Sequence, residues 1–294
     1  GISEMSPRSM KAAFDHEEAI RTPRDNFMRT IECAANQFLN VQGNEIYILA
    51  GFPWFKCRAR DLFVSLPGIT LSLGKKELFE KIMRTAEKAI YDFMDDRRIS
   101  VKIYEMEHPD VLLWAVWAIQ QYANEYGLEE CREKYGKMLI DIIKYLHDNR
   151  HPNLKLMPSC LVSTRGTDKA VTWMNSTANG LPVVPRTGYV VEINALWYNA
   201  LKFIQQMAEL MDEKGVAAML MRLSTIAGKA FTEIFLNEHG YLYDYVDGDY
   251  VDWSVRPNMI FAAALEYSPL DRKQQKSVLD IVTKELLTPK GLRS

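Results

Sequence analysis

Apolar side chains recur three and four residues apart along most of this chain, the spacing that lines up one face of an α-helix. The pattern predicts a first helix from about Thr22, with Pro23 in its opening turn, that buries Phe27, Ile31, Ala34, Ala35 and Phe38. A second follows Gly74 through Leu78, Ile82, Met83, Ala86, Ile90, Phe93 and Met94. A third opens near Asp110, placed to cap the free amides of its first turn, turns Leu113, Val116, Trp117 and Ala118 inward and stops at Gly127. The fourth carries Tyr135, Met138, Leu139, Ile142, Ile143 and Leu146, and the fifth spans residues 192–211. The sixth, at Gly215, carries Val216, Leu220, Leu223, Ala227, Phe231 and Ile234. Two more are predicted at 257–267 and 271–286, with a short one at 61–66. Helices joined by short turns make an all-α array of hairpins, either an open solenoid or a closed α/α ring, and the lack of a fixed-period repeat weakens the solenoid.

Three long connections, at 45–60, 149–190 and 237–256, interrupt the helices and concentrate Trp, Tyr, Arg, Asp and Asn. Loops of that length inside a compact domain usually serve a site, so a cleft along one rim is expected. The first holds Trp54 and ends on the adjacent Arg60 and Asp61, a donor fork beside two acceptor oxygens, as a sugar's neighbouring hydroxyls require; such a pair is also an ordinary surface ion pair. The second leads through Trp173, Asn175 and Arg186 to Glu192, Asn194 and Trp197. At a helix start those last residues can face the space the loop encloses, or Glu192 can simply cap the helix while Trp197 fills the core. The third interleaves Asp244, Asp247, Asp249 and Asp252 with tyrosines and Trp253 and ends at Arg256 and Asn258. Its order does not match an EF-hand loop, which leaves a polar loop with aromatic platforms.

Composition changes this picture mainly by exclusion. Thirty-six basic and 38 acidic residues leave a net charge of −2, without the basic footprint of a nucleic-acid binder, so a neutral partner fits better. No phosphate loop, nucleophile elbow or metal-binding histidine pair occurs, and neither a metal nor a cofactor is expected. Cys33, Cys57, Cys131 and Cys160 lack paired spacing and read as reduced thiols; with no apolar run of about 20 residues, the expected setting is cytoplasmic, away from membranes. Residues 1–20 are expected to form an N-terminal extension and 21–294 the helical domain. What remains is carboxylate, aromatic and amide chemistry, the equipment of glycoside hydrolysis.

At these same residues the sequence resembles the amylo-α-1,6-glucosidase domain of glycogen-debranching enzymes. The resemblance is carried in order by GFPWFKCRARDLFVSLPGITL, DVLLWAVWAI, TWMNSTANGLPVVPRTGYVVEINALWYNAL, GYLYDYV with DWSVRPNMIFAAAL, and LLTPKGLRS. It implies an (α/α)6 toroid and hydrolysis of single α-1,6-linked glucose stubs on trimmed glycogen, with inversion and no cofactor, by two carboxyl groups about 6.5–9.5 Å apart. Arg60 and Asp61 would hold the terminal glucose, Trp54, Trp173 and Trp197 would line its pocket, and Arg186, Arg256 and Asn258 would add polar contacts. The family's acid position, an Asp in the family's TWMD motif, is Asn175 here, and an amide gives up no proton at neutral pH. Glu192 and then Asp252 become the candidate acids. The resemblance puts the general base, a Glu, after the TPKGLR motif and so beyond Ser294, which with fewer than twelve predicted helices implies an incomplete toroid, inactive as it stands. A related toroidal α-glucosidase with another substrate, or a silent glucan-binding domain, are the alternatives.

Overall fold

Helices alternate with short β-hairpins in the computed structural model, which describes residues 6–20, 23, 25–52, 54–165, 170 and 172–293. Among the described residues there are ten α-helices: α1 (Pro7–Ile20), α2 (Phe27–Asn36), α3 (Ala59–Ile69), α4 (Lys76–Met94), α5 (Val111–Tyr126), α6 (Leu128–His147), α7 (Val191–Leu210), α8 (Lys214–Phe235), α9 (Ile260–Ala264) and α10 (Arg272–Leu286). No helix of these is long and apolar enough to cross a membrane.

Burial follows the width of each apolar face. In α5 and α7 nearly every residue of the first three turns is buried, and these two helices form the centre: α7 packs on α8, α6, α5 and α9, and α5 packs on α3 and α6. By contrast α4, α8 and α10 bury one stripe each, as amphipathic helices on the outside of a core do. Local chemistry sets several ends. Gly127, at a φ of 93° that disfavours any Cβ, closes α5 and opens α6, and the Asp271 side chain and Gln274 form a capping box at α10.

Two helix starts depart from the periodic pattern, and a third lacks the cap expected of it. The first predicted helix begins at Phe27, where Asn26 caps the Arg29 amide, rather than at Thr22, which lies outside the described residues. Its apolar face is not covered as expected: Cys33 alone is buried, while Phe27 is 76% and Ile31 42% exposed. Periodicity announces such a face without saying what packs on it. The extension expected over 1–20 contains a helix, α1, exposed at every described side chain. Asp110 stands at the N-cap of α5 but makes no cap hydrogen bond, because its carboxylate turns to Arg60 and Trp114. Finally, the helix predicted over 257–267 is a 3-10 turn at Pro257–Met259 followed by the five residues of α9.

The long connections are laced by short ladders that no local pattern announced. Leu39–Gln42 pairs with Glu45–Ile48, Leu154–Leu156 with Val162–Thr164, and Tyr189–Val190 joins Tyr245–Asp247 and Tyr250–Val251 in a three-stranded sheet. Gly188 is required there: its φ is +74° and an added Cβ would sit 2.4 Å from the Val246 carbonyl oxygen. The ladders draw the second and third long loops together over the start of α7.

Candidate functional site

A cavity of about 810 Å³ opens where four parts of the chain meet, within the roughly 300–1,000 Å³ typical of small-molecule sites. Its walls are the start of α3, one face of α5, the turn into α9, and the hairpin end at Ile48, Leu49 and Ala50. From α5 come Trp114 and Trp117, three residues apart and edge-to-face at 5.4 Å, and Phe261 of α9 packs edge-to-face on Trp114 at 5.4 Å. Trp173 and Asn258 complete the aromatic and amide side. Leu292, from the Leu287–Thr288 and Gly291–Leu292 hairpin, reaches the same space.

Arg60 and Asp61 both line the cavity, yet they play opposite parts. Strand Cys57–Arg58 pairs in parallel with Ile103–Tyr104 and sets the start of α3 beside the start of α5. There the Arg60 guanidinium, 8% exposed, grips Asp110 with Nε at 2.7 Å and Nη2 at 2.9 Å, and Nη2 also donates to His108 Nδ1 at 2.9 Å. Burial works against the arginine's charge, but Asp110 outweighs it and holds the pKa above its ordinary value. Burial and the neighbouring Arg60 cation push His108 down, so its neutral Nδ1 can accept. Asp61, one residue on, points outward on the first turn of α3 and is exposed. Among the described residues its carboxylate has no hydrogen-bond or ion-pair partner, and it is the one carboxylate in the cavity wall.

A second polar centre lies behind Trp173. The Arg186 guanidinium, 2% exposed, is gripped by two carboxylates. Its Nη1 and Nη2 donate to the two oxygens of Glu192, the latter at 2.6 Å, and its Nε and Nη2 donate to Asp244 at 2.8 and 3.1 Å. Arg256 Nη1 bridges Asp244 at 2.8 Å and Asp252 at 2.9 Å. Burial opposes the charge of Arg186, and Glu192 with Asp244 more than restore it. Burial likewise pushes the Glu192 carboxyl up, with Arg186 opposing. Asp252 is held below the usual carboxylate range: burial acts to raise it, and hydrogen bonds from Ser254 and Arg256 prevail.

These placements sort the residues singled out in the sequence. Arg60, Asp61, Trp173 and Asn258 are brought together at the cavity, whereas Trp54, Arg186, Glu192, Trp197, Asp252 and Arg256 are outside its wall. Trp54 is 84% exposed on the loop before α3. Trp197 is fully buried and its indole Nε1 donates to the Cys160 carbonyl at 2.9 Å, the core-filling role. Asn194 is spent on the Val162 amide and on the Val162 and Val190 carbonyls. Both oxygens of Glu192 face guanidinium nitrogens that only donate, so a proton placed there would have no acceptor to reach. Asn175 is exposed beside Trp173, whose carbonyl its backbone amide contacts at 2.9 Å; Val171 of the same motif is outside the described residues. Sequence reasoning passed over Trp114 and Phe261, although the i, i+3 spacing of Trp114 and Trp117 puts both on one helix face.

An apolar aromatic wall with one unpaired carboxylate at its edge suits a ligand with C–H faces and hydroxyl donors. A family model described as amylo-alpha-1,6-glucosidase matches residues 33–294, a span that contains every wall residue of the cavity. No curated protein matches the chain.

Proposed function

The chain belongs to the amylo-alpha-1,6-glucosidase family, and from that premise we propose that the cavity receives the terminal glucose of an α-1,6 branch on trimmed glycogen. The observation that carries the reading is Asp61, an ionisable side chain without a protein partner among the described residues, facing a space walled by Trp114, Trp117, Trp173 and Phe261. Indole and phenyl faces take the C–H faces of a pyranose, and the carboxylate oxygens accept from adjacent hydroxyls. Arg60, locked on Asp110, contributes a fixed positive edge.

In this reading the helices belong to an (α/α)6 toroid and the reaction is inverting, with one carboxyl protonating the leaving oxygen and another activating water. Asn175 occupies the acid position, and Glu192 and Asp252 are both committed to arginines. That commitment favours a second reading, a glucan-binding domain that turns over slowly or not at all. Incubation with a limit dextrin decides between them. Release of glucose in the β-anomeric form supports inverting hydrolysis, binding without release supports the silent domain, and neither result rejects both.

A further inference from the structure

We infer that Asp244 and Asn258 are positioning residues that fix the plane of the Trp173 indole, and that they set how tightly the cavity holds a sugar. The inference rests on the glucan-site reading above.

Trp173 lies on a stretch without helix or strand, 40% exposed, yet its indole is tied down. Nε1 donates to Asn258 Oδ1 at 2.8 Å. Asn258 Nδ2 in turn donates to Asp244 Oδ1 at 2.7 Å and approaches Met174 Sδ at 3.4 Å. The amide has only this orientation, since a flip would set its oxygen against a carboxylate and its NH2 against an indole N–H. Asp244 cannot turn away, because Arg186 and Arg256 hold it from two further directions. The residue before Trp173 is anchored on the same cluster, with Arg186 Nη1 donating to Thr172 Oγ1 at 3.2 Å. The buried charge cluster, acting through Asn258, thus holds three consecutive loop residues, one of which is a wall of the cavity.

Two consequences separate this from direct sugar contact by Asn258. Its amide groups are engaged inside the protein, and the residue is 1% exposed. A ring already held in its bound plane needs no ordering when the ligand arrives, so freeing it should weaken binding by about 3- to 10-fold.

The test is isothermal titration of isomaltose into the wild-type chain, Asn258→Leu, Trp173→Phe and the double variant, with the Trp173 indole resonance followed in ¹⁵N-labelled protein. Asn258→Leu should bind about 3- to 10-fold more weakly, and in the Trp173→Phe background, where no N–H remains, it should cost less than about 2-fold. An equal loss in both backgrounds, or none in either, overturns the inference. In the wild type the Trp173 indole proton should exchange slowly and that of exposed Trp54 fast; in Asn258→Leu the Trp173 proton should also exchange fast. Unprotected Trp173 in the wild type overturns the positioning role even if the leucine variant fails to fold. If the wild type does not bind isomaltose, the glucan reading fails, and the indole exchange alone decides whether Asn258 positions the ring.

Discussion

Arg60 and Asp61 are neighbours in sequence, and the account separates them sharply. Arg60→Met leaves Asp110, 2% exposed, with only the Trp114 indole N–H at 3.1 Å among the side-chain donors of the described residues. Removing one partner of a buried ion pair costs about 3–5 kcal/mol, a large part of the roughly 5–15 kcal/mol that holds a domain together. Asp61→Ala removes an exposed carboxylate whose only structural benefit is its place on the first turn of α3, about 1 kcal/mol at most, partly offset by the helix preference of alanine. Its loss from the ligand side is larger, because hydrogen bonds to a charged acceptor contribute about 1.5–3 kcal/mol, or about 10- to 150-fold in affinity. Urea unfolding followed by circular dichroism, run beside isomaltose titration, reads both quantities. The expected result is an unstable Arg60→Met and a stable Asp61→Ala that has lost its ligand. If Asp61→Ala unfolds as readily as Arg60→Met, or binds isomaltose as the wild type does, the division of labour is wrong.

Two other outcomes are expected. His151 is 5% exposed against the Phe93 ring, and burial pushes its imidazole down to about 4 while the unfolded chain keeps about 6.5. Between those values the unfolded state binds the extra proton, so stability falls as pH is lowered from about 6.5 to 4, by about 3 kcal/mol at most. His151→Gln should flatten that slope in urea midpoints, and an unchanged slope would count against the assignment. Asn175→Asp, at an exposed loop position, should leave stability within about 0.5 kcal/mol and raise glucose release by about 100-fold or more if a missing acid is the defect. Unchanged release would show that a missing acid is not the only defect.

The helices were legible because three- and four-residue spacing is a local signal, and α4, α5, α7, α8 and α10 begin and end close to where that spacing does. The three-stranded sheet in the long connections was not, since pairs such as Val190 with Tyr245 join residues far apart in sequence. At the site, a charged side chain that recognises a ligand and one that recognises another side chain carry the same groups. Arg186, Glu192, Arg256 and Asp252 were therefore found in the sequence as candidates for sugar contact and stand in the structure as a buried charge cluster. The Arg60–Asp61 couple was read as one unit, but successive residues of a helix do not face the same way. Trp197 followed the alternative reading of a core residue, and Trp173 and Asn258 line the cavity.

In the proposed function a glucose unit sits among Trp114, Trp117 and Trp173 with Asp61 at its edge. The chain has six tryptophans, so a titration of ¹⁵N-indole-labelled protein with isomaltose reads three positions in the cavity wall and three outside it at once. Resonances of Trp114, Trp117 and Trp173 should move together along one saturating curve while those of Trp54, Trp197 and Trp253 stay still. Saturable shifts confined to Trp54 or Trp253, with the three cavity indoles unmoved, would place the sugar elsewhere and contradict the account.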